Sequence, residues 1–135
     1  MSVYLEKAGN LRAITQKHYN CAQSVAVPFA DVLGISEETL YRMGANFGAG
    51  MKMGGTCGAV TGALMVLGLA GLDDTAMLQA LYRQVKENHE GLIDCAGLLR
   101  VNAQKGCPRK EHCDNMVYEL VGITERILKE NGVIS

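Results

Sequence analysis

Residues 57–72 read CGAVTGALMVLGLAGL, the one long apolar run of the chain, and they follow GANFGAGMKMGG at residues 44–55. Five of those preceding twelve residues are glycine. Glycine inside a helix costs about 1 kcal/mol against alanine, so this density predicts a loop. The apolar run has 16 residues, four of them glycine, and falls short of the roughly 20 that a bilayer-spanning helix needs. It reads as a buried central helix, capped by Thr56 and running to about Ala70.

Working outward, Tyr4, Ala8, Leu11, Ile14 and His18 recur at steps of three and four, the stripe of an amphipathic helix. Unbroken, that helix carries Cys21 and Val25 on its buried face. Alternatively, Asn20 caps a second helix over Cys21–Val32, kinked or shortened by Pro28 and stopped by Gly34. Ser36 caps a short helix through Glu37–Met43. Asp73 and Asp74 open the next, with a face of Leu78, Leu81, Tyr82, Val85 and His89, and Gly91 ends it. Asp94 caps a helix over Cys95–Val101, and a polar loop with Gly106 and Pro108 leads to the last helix. There Val117, Leu120, Val121, Thr124, Ile127 and Leu128 form the cleanest stripe, closed by Gly132. No segment alternates with period two. The expected fold is all-α: a compact single-domain bundle of five to seven helices spanning residues 1–135, with a Gly-rich loop before the central apolar helix.

Composition narrows the function classes. At 135 residues, 48% hydrophobic and 20% charged, the chain closes one core and is not of disordered type. A net charge of −1 gives no electrostatic reason to expect nucleic acid or an anionic membrane as partner. The start MSVYLEKAGNLR lacks a basic stretch leading into an apolar run, so the expected location is cytoplasmic. In that reducing setting the five cysteines point to metal ligation or thiol chemistry over structural disulfides. Taken singly, each also reads as a small core residue.

Cys57 is the sharpest candidate. If Thr56 caps the helix, Cys57 lies in its first turn, where unpaired N–H groups and the positive helix end lower a thiol pKa. Gly58 and Gly62, four apart, let a second helix approach closely. Cap-type residues precede three cysteines: Asn20 before Cys21, Thr56 before Cys57, Asp94 before Cys95. Three such helix starts brought together make an electropositive pocket lined by thiols. A second cluster is Cys107-Pro-Arg-Lys-Glu-His112-Cys113, where His112 adds a nitrogen donor and Arg109 and Lys110 would depress nearby thiol pKa values. With no Cys-x-x-Cys pair in the chain, zinc-finger and thioredoxin-type sites are not expected. His18 and His89 read as core or boundary histidines, and Lys52, Arg109 and Lys110 as solvated.

Asn20-Cys21-Ala22-Gln23-Ser24-Val25, then Cys57-Gly58-Ala59-x-x-Gly62, then Cys95 and Cys113 together resemble the C_GCAxxG_C_C family of redox-active proteins, over nearly the whole chain. The resemblance implies that Cys21, Cys57, Cys95 and Cys113 are the family cysteines, with Cys107 an extra. It implies a redox role with an iron–sulfur cluster as prosthetic group.

The expected function is therefore redox: Cys21, Cys57, Cys95 and Cys113 gathered to hold an iron–sulfur cluster or other metal ion, for electron transfer or redox sensing with a redox partner protein. The alternative is a metal-free thiol–disulfide protein with Cys57 as nucleophile. A third reading is a helical interaction module with packing cysteines. The glycine-bearing apolar helix also suggests a homodimer.

Overall fold

Side-chain caps set where most helices begin. Ser2, Asn20, Ser36, Asp74 and Asp94 each accept a hydrogen bond from the backbone N–H three residues on, satisfying a donor the helix leaves unpaired. The computed structural model describes residues 2–135. It contains α1 (Val3–Ala13), α2 (Cys21–Ala26), α3 (Ala30–Leu33), α4 (Glu37–Met43), α5 (Gly58–Leu69), α6 (Thr75–Asn88), α7 (Cys95–Gln104) and α8 (Arg109–Glu130). Pro28 lies in a 3-10 turn, Val27–Phe29, between α2 and α3. Taken as one kinked unit, they leave seven helices and no strand among the described residues. The fold is the all-α bundle that the patterning predicts. None of its helices is long and apolar enough to cross a membrane.

Two local expectations change. The first stripe does not run on into Cys21: α1 ends at Ala13 with Ile14 as its C-cap, and His18 is exposed rather than on an apolar face. Asn20 opens a new helix with a reciprocal box, its N–H donating to Gln23 Oε1 while Gln23 N–H donates to Asn20 Oδ1, both at 2.8 Å. Thr56 does not cap α5. It is held extended opposite Asp94 in an isolated antiparallel bridge, and Cys57 itself takes the N-cap position.

The centre of the bundle is α2, α5 and α8 packed on one another, with α1 and α7 also laid against α8. Residues 22–30 are buried without exception. Phe29, Leu67, Leu120 and Leu128 are among the fully enclosed side chains, each contributing about 1.5–3 kcal/mol relative to exposure. Tyr4 stacks on Phe29 with ring centroids 4.6 Å apart, fixing α1 to this core. The apolar helix meets α2 through glycine: a Cβ on Gly62 would stand 2.6 Å from the Ala22 carbonyl oxygen, and one on Gly58 would stand 2.8 Å from the Phe47 carbonyl oxygen. Gly58 and Gly62 thus serve the approach of α2 within the chain.

Gly122 has no such reason to be glycine. It lies inside α8, and a Cβ added there would meet nothing within 4 Å. Gly122→Ala is expected to raise stability by about 0.5–1 kcal/mol, read as a higher urea midpoint at unchanged slope.

The glycine-rich stretch is a loop, as its composition predicts, but a tightly wound one. Ala49, Gly50, Met51 and Lys52 have φ of +53°, +63°, +58° and +58°, a left-handed turn in which three residues are not glycine. Each of these costs on the order of 1 kcal/mol or more. Gly50 cannot be replaced cheaply, because a Cβ there would overlap the Gly55 carbonyl and lie 2.8 Å from Cys95 Cβ.

Candidate functional site

The short bridge between the glycine stretch and the start of α7 positions two cysteines. Cys57 N–H donates to the Ile93 carbonyl at 2.9 Å, and Cys95 N–H to the Gly55 carbonyl at 2.6 Å. Cys57 and Cys95 therefore sit across from each other at the starts of α5 and α7. Cys21 opens α2 beside the start of α5, its Cβ 3.3 Å from where a Gly58 Cβ would be. Cys113 lies one turn into α8, next to the thiol of Cys21.

These four cysteines, from four separate elements, line one cavity of about 740 Å³. His112 is in its wall as well, while Cys107 is not. The Cys107 thiol instead donates to the Pro108 carbonyl at 3.6 Å. Among the described residues, no three Cys, His, Asp or Glu side chains are drawn to one point as a ready-made ring for a single ion.

The thiols are not equivalent. Burial pushes Cys57 up to about 11, although the N–H groups of Ala59 and Val60 face its sulfur and pull the other way. This reverses the expectation of a lowered pKa at Cys57. The helix start is there, but the residue is only 5% exposed, and desolvation of the thiolate outweighs two backbone donors. Cys95 is also raised, chiefly by burial and then by Cys113, against the pull of Arg109. Cys113 goes the opposite way, down to about 6, because it accepts a hydrogen bond from Cys21 and has Arg12 and Arg109 beside it. Cys21 is raised well above the ordinary thiol range, first by donating that bond and then by burial. The two thiols are thus driven in opposite directions by their shared contact.

Around the sulfurs the polar framework is closed. Arg12 Nε pairs with Asp114 Oδ1 at 2.7 Å, and its Nη1 donates to the Tyr19 carbonyl at 2.9 Å. These bonds tie α1 to α8 and to the residues before α2. Buried His112 is held below the ordinary imidazole value by desolvation and by His89, with Glu119 opposing. His89 Nε2 meets Glu119 Oε1 at 2.7 Å, the half-buried boundary role its stripe suggests. His18 is exposed on the cavity rim.

Residues 19–127 match the family described as "Putative redox-active protein (C_GCAxxG_C_C)". The chain belongs to the C_GCAxxG_C_C family. No curated protein and no solved structure matches it. In this C_GCAxxG_C_C protein, the stretch Cys57-Gly58-Ala59-Val60-Thr61-Gly62 serves both cavity and packing: Cys57, at the N-cap position of α5, and Gly58 line the cavity, while Gly58 and Gly62 admit α2. Arg12 escapes a reading of the sequence altogether, since its partner Asp114 lies 102 residues away. Gln23 does carry a local signal, the Asn-x-x-Gln spacing of a capping box.

Proposed function

We propose that this C_GCAxxG_C_C protein is a redox protein whose Cys21, Cys57, Cys95 and Cys113 hold an iron–sulfur cluster, serving electron transfer or redox sensing with a partner protein. The observation that carries this reading is the arrival of four cysteines from distant parts of the chain at a single cavity of about 740 Å³. The donor set fits: four soft sulfurs, the ligand type that selects iron–sulfur clusters. The setting fits as well. Arg12 and Arg109 stand near the sulfurs, and α5, α7 and α8 turn their positive ends toward the cavity, favouring an anionic assembly of thiolates. When bound, the cluster supplies one-electron chemistry. The chain's residues supply the four ligands, a largely apolar wall and cations that favour the more reduced charge state.

Anaerobic purification from iron-replete cells tests this directly. Iron and acid-labile sulfide are expected in stoichiometric amounts, with visible absorbance that Cys95→Ser removes. A colourless protein without iron or sulfide, even after reconstitution, would sink the cluster reading.

The contact between Cys21 and Cys113 favours a second reading, a metal-free thiol–disulfide protein with Cys113, rather than Cys57, as nucleophile and Cys21 as its partner. Mild oxidation is then expected to remove two of the five free thiols and to link the Cys21 and Cys113 peptides. If all five stay free, this version fails.

A further inference from the structure

The charge on the cavity wall is of one sign. Arg12, Lys52, Arg109 and Lys110 line it, and no Asp or Glu among the described residues does. Asp114 approaches from behind, 2.7 Å from Arg12 Nε and 2.9 Å from Lys110 Nζ, so one carboxylate answers two cations. Among the described residues Lys52 has only the neutral Asn46 Oδ1, at 3.4 Å, and Arg109 stands beside Cys113. The whole chain carries −1, so this is a local concentration of positive charge and not a general surplus. A cleft lined by one sign focuses its field and raises the local concentration of the opposite ion.

The remainder of the wall is apolar, with Leu11, Ile14, Leu98, Leu99 and Met116. Exposed Lys52, Arg109 and Lys110 beside buried Leu98 and Met116 suit a small organic anion, its charged group toward the cations and its body against the apolar side chains. Cys113 lies in the same wall as Arg12 and Arg109, one helical turn after Arg109 on α8.

We propose that this cavity admits small anionic disulfides to Cys113 in preference to neutral or cationic ones. The proposal rests on the thiol reading of the Cys21–Cys113 pair. The Cys113 sulfur, as thiolate, attacks one sulfur of the incoming disulfide. A new S–S bond forms as the old one breaks, and the electron pair departs with the released thiolate. Cys21 then gives up its proton and attacks the Cys113 sulfur, releasing the second small thiolate. Two protein thiols and one small disulfide become one protein disulfide and two small thiols, and the small disulfide is the only oxidant required.

The test uses the reduced full chain carrying Cys107→Ser, with peptide mapping to assign the modified sulfur. Three reagents are compared: dianionic 5,5′-dithiobis(2-nitrobenzoate), neutral 2,2′-dithiodipyridine and dicationic cystamine. Each rate is divided by that reagent's rate with a small free thiol. At low salt the anionic reagent is expected to lead the neutral one at Cys113 by about tenfold, and the cationic one to trail both. The lead is expected to shrink toward parity near 1 M salt, where the screening length is about 3 Å. Lys52→Glu, an exposed change, is expected to cut the anionic reagent's lead over the neutral one. Equal normalised rates for all three reagents at low salt would overturn the proposal and leave Cys113 a reactive thiol. A Cys113 inert to the neutral reagent as well would overturn the thiol reading and this proposal with it.

Discussion

Gly62→Ala is expected to cost about 3 kcal/mol, the upper end of the range for overpacking a tight interior. The added methyl would stand 2.6 Å from the Ala22 carbonyl oxygen, 3.0 Å from Ala22 Cα and 3.1 Å from Val25 Cβ. None of these is the end of a flexible side chain that can swing aside. Relief requires α2 to move off α5, and α2 has nowhere to go, because residues 22–30 are buried throughout. Against a total of roughly 5–15 kcal/mol for a domain, the loss would leave the protein marginal. Urea unfolding measures it, with Gly68→Ala as the comparison: same helix, nothing within 4 Å of the new methyl, and an expected change near zero or slightly stabilising. Equal midpoints for Gly62→Ala and Gly68→Ala would mean that the two helices do not approach as described.

That contrast shows what the sequence could and could not say about the fold. Gly62 and Gly68 look alike in the run CGAVTGALMVLGLAGL. The four-residue spacing of Gly58 and Gly62 signals a close helix partner, yet only the packed chain identifies it as α2. Helix starts are legible wherever an Asn, Ser or Asp supplies its own cap, as at Asn20, Ser36, Asp74 and Asp94. Thr56 has the same local chemistry and fails, because a non-local bridge to Asp94 claims its backbone. The end of α1 at Ala13 is hidden for a related reason: the apolar stripe continues to His18 in sequence after the helix has stopped.

The site divides in the same way. The sequence offers three helix starts with a cysteine at each, and Cys21, Cys57 and Cys95 stand at the starts of α2, α5 and α7. What it does not offer is their relative acidity. A helix start lowers a thiol pKa while burial raises it, and burial is a property of the assembled core. At Cys57 burial wins. At Cys113, within a run that reads as merely polar and basic, a neighbouring thiol and two arginines win instead. Arg109 is only four residues from Cys113, whereas Arg12 and Cys21 arrive from the far end of the chain.

In the reduced, metal-free chain, the alkylation rate of Cys113 is accordingly expected to have its midpoint near pH 6, about three units below the ordinary thiol value of 9.0. Three units correspond to about a thousandfold in the ionisation constant. The sign is fixed by the lowered pKa: the reactive thiolate is present above the midpoint and is lost as pH falls through it. Iodoacetamide labelling resolved by peptide should therefore be flat between pH 7 and 8 at Cys113, and still rising at pH 9 at Cys57, which burial holds at about 11. The absolute rate is a poorer measure, since a more acidic thiol is also a weaker nucleophile. Cys21→Ala removes the principal cause of the shift and should move the Cys113 midpoint up toward the ordinary range. Cys107→Ser, outside the cavity wall, should leave it in place. An unshifted profile in Cys21→Ala would show that the arginines alone set the acidity of Cys113, and the thiol pair would lose its standing as a unit.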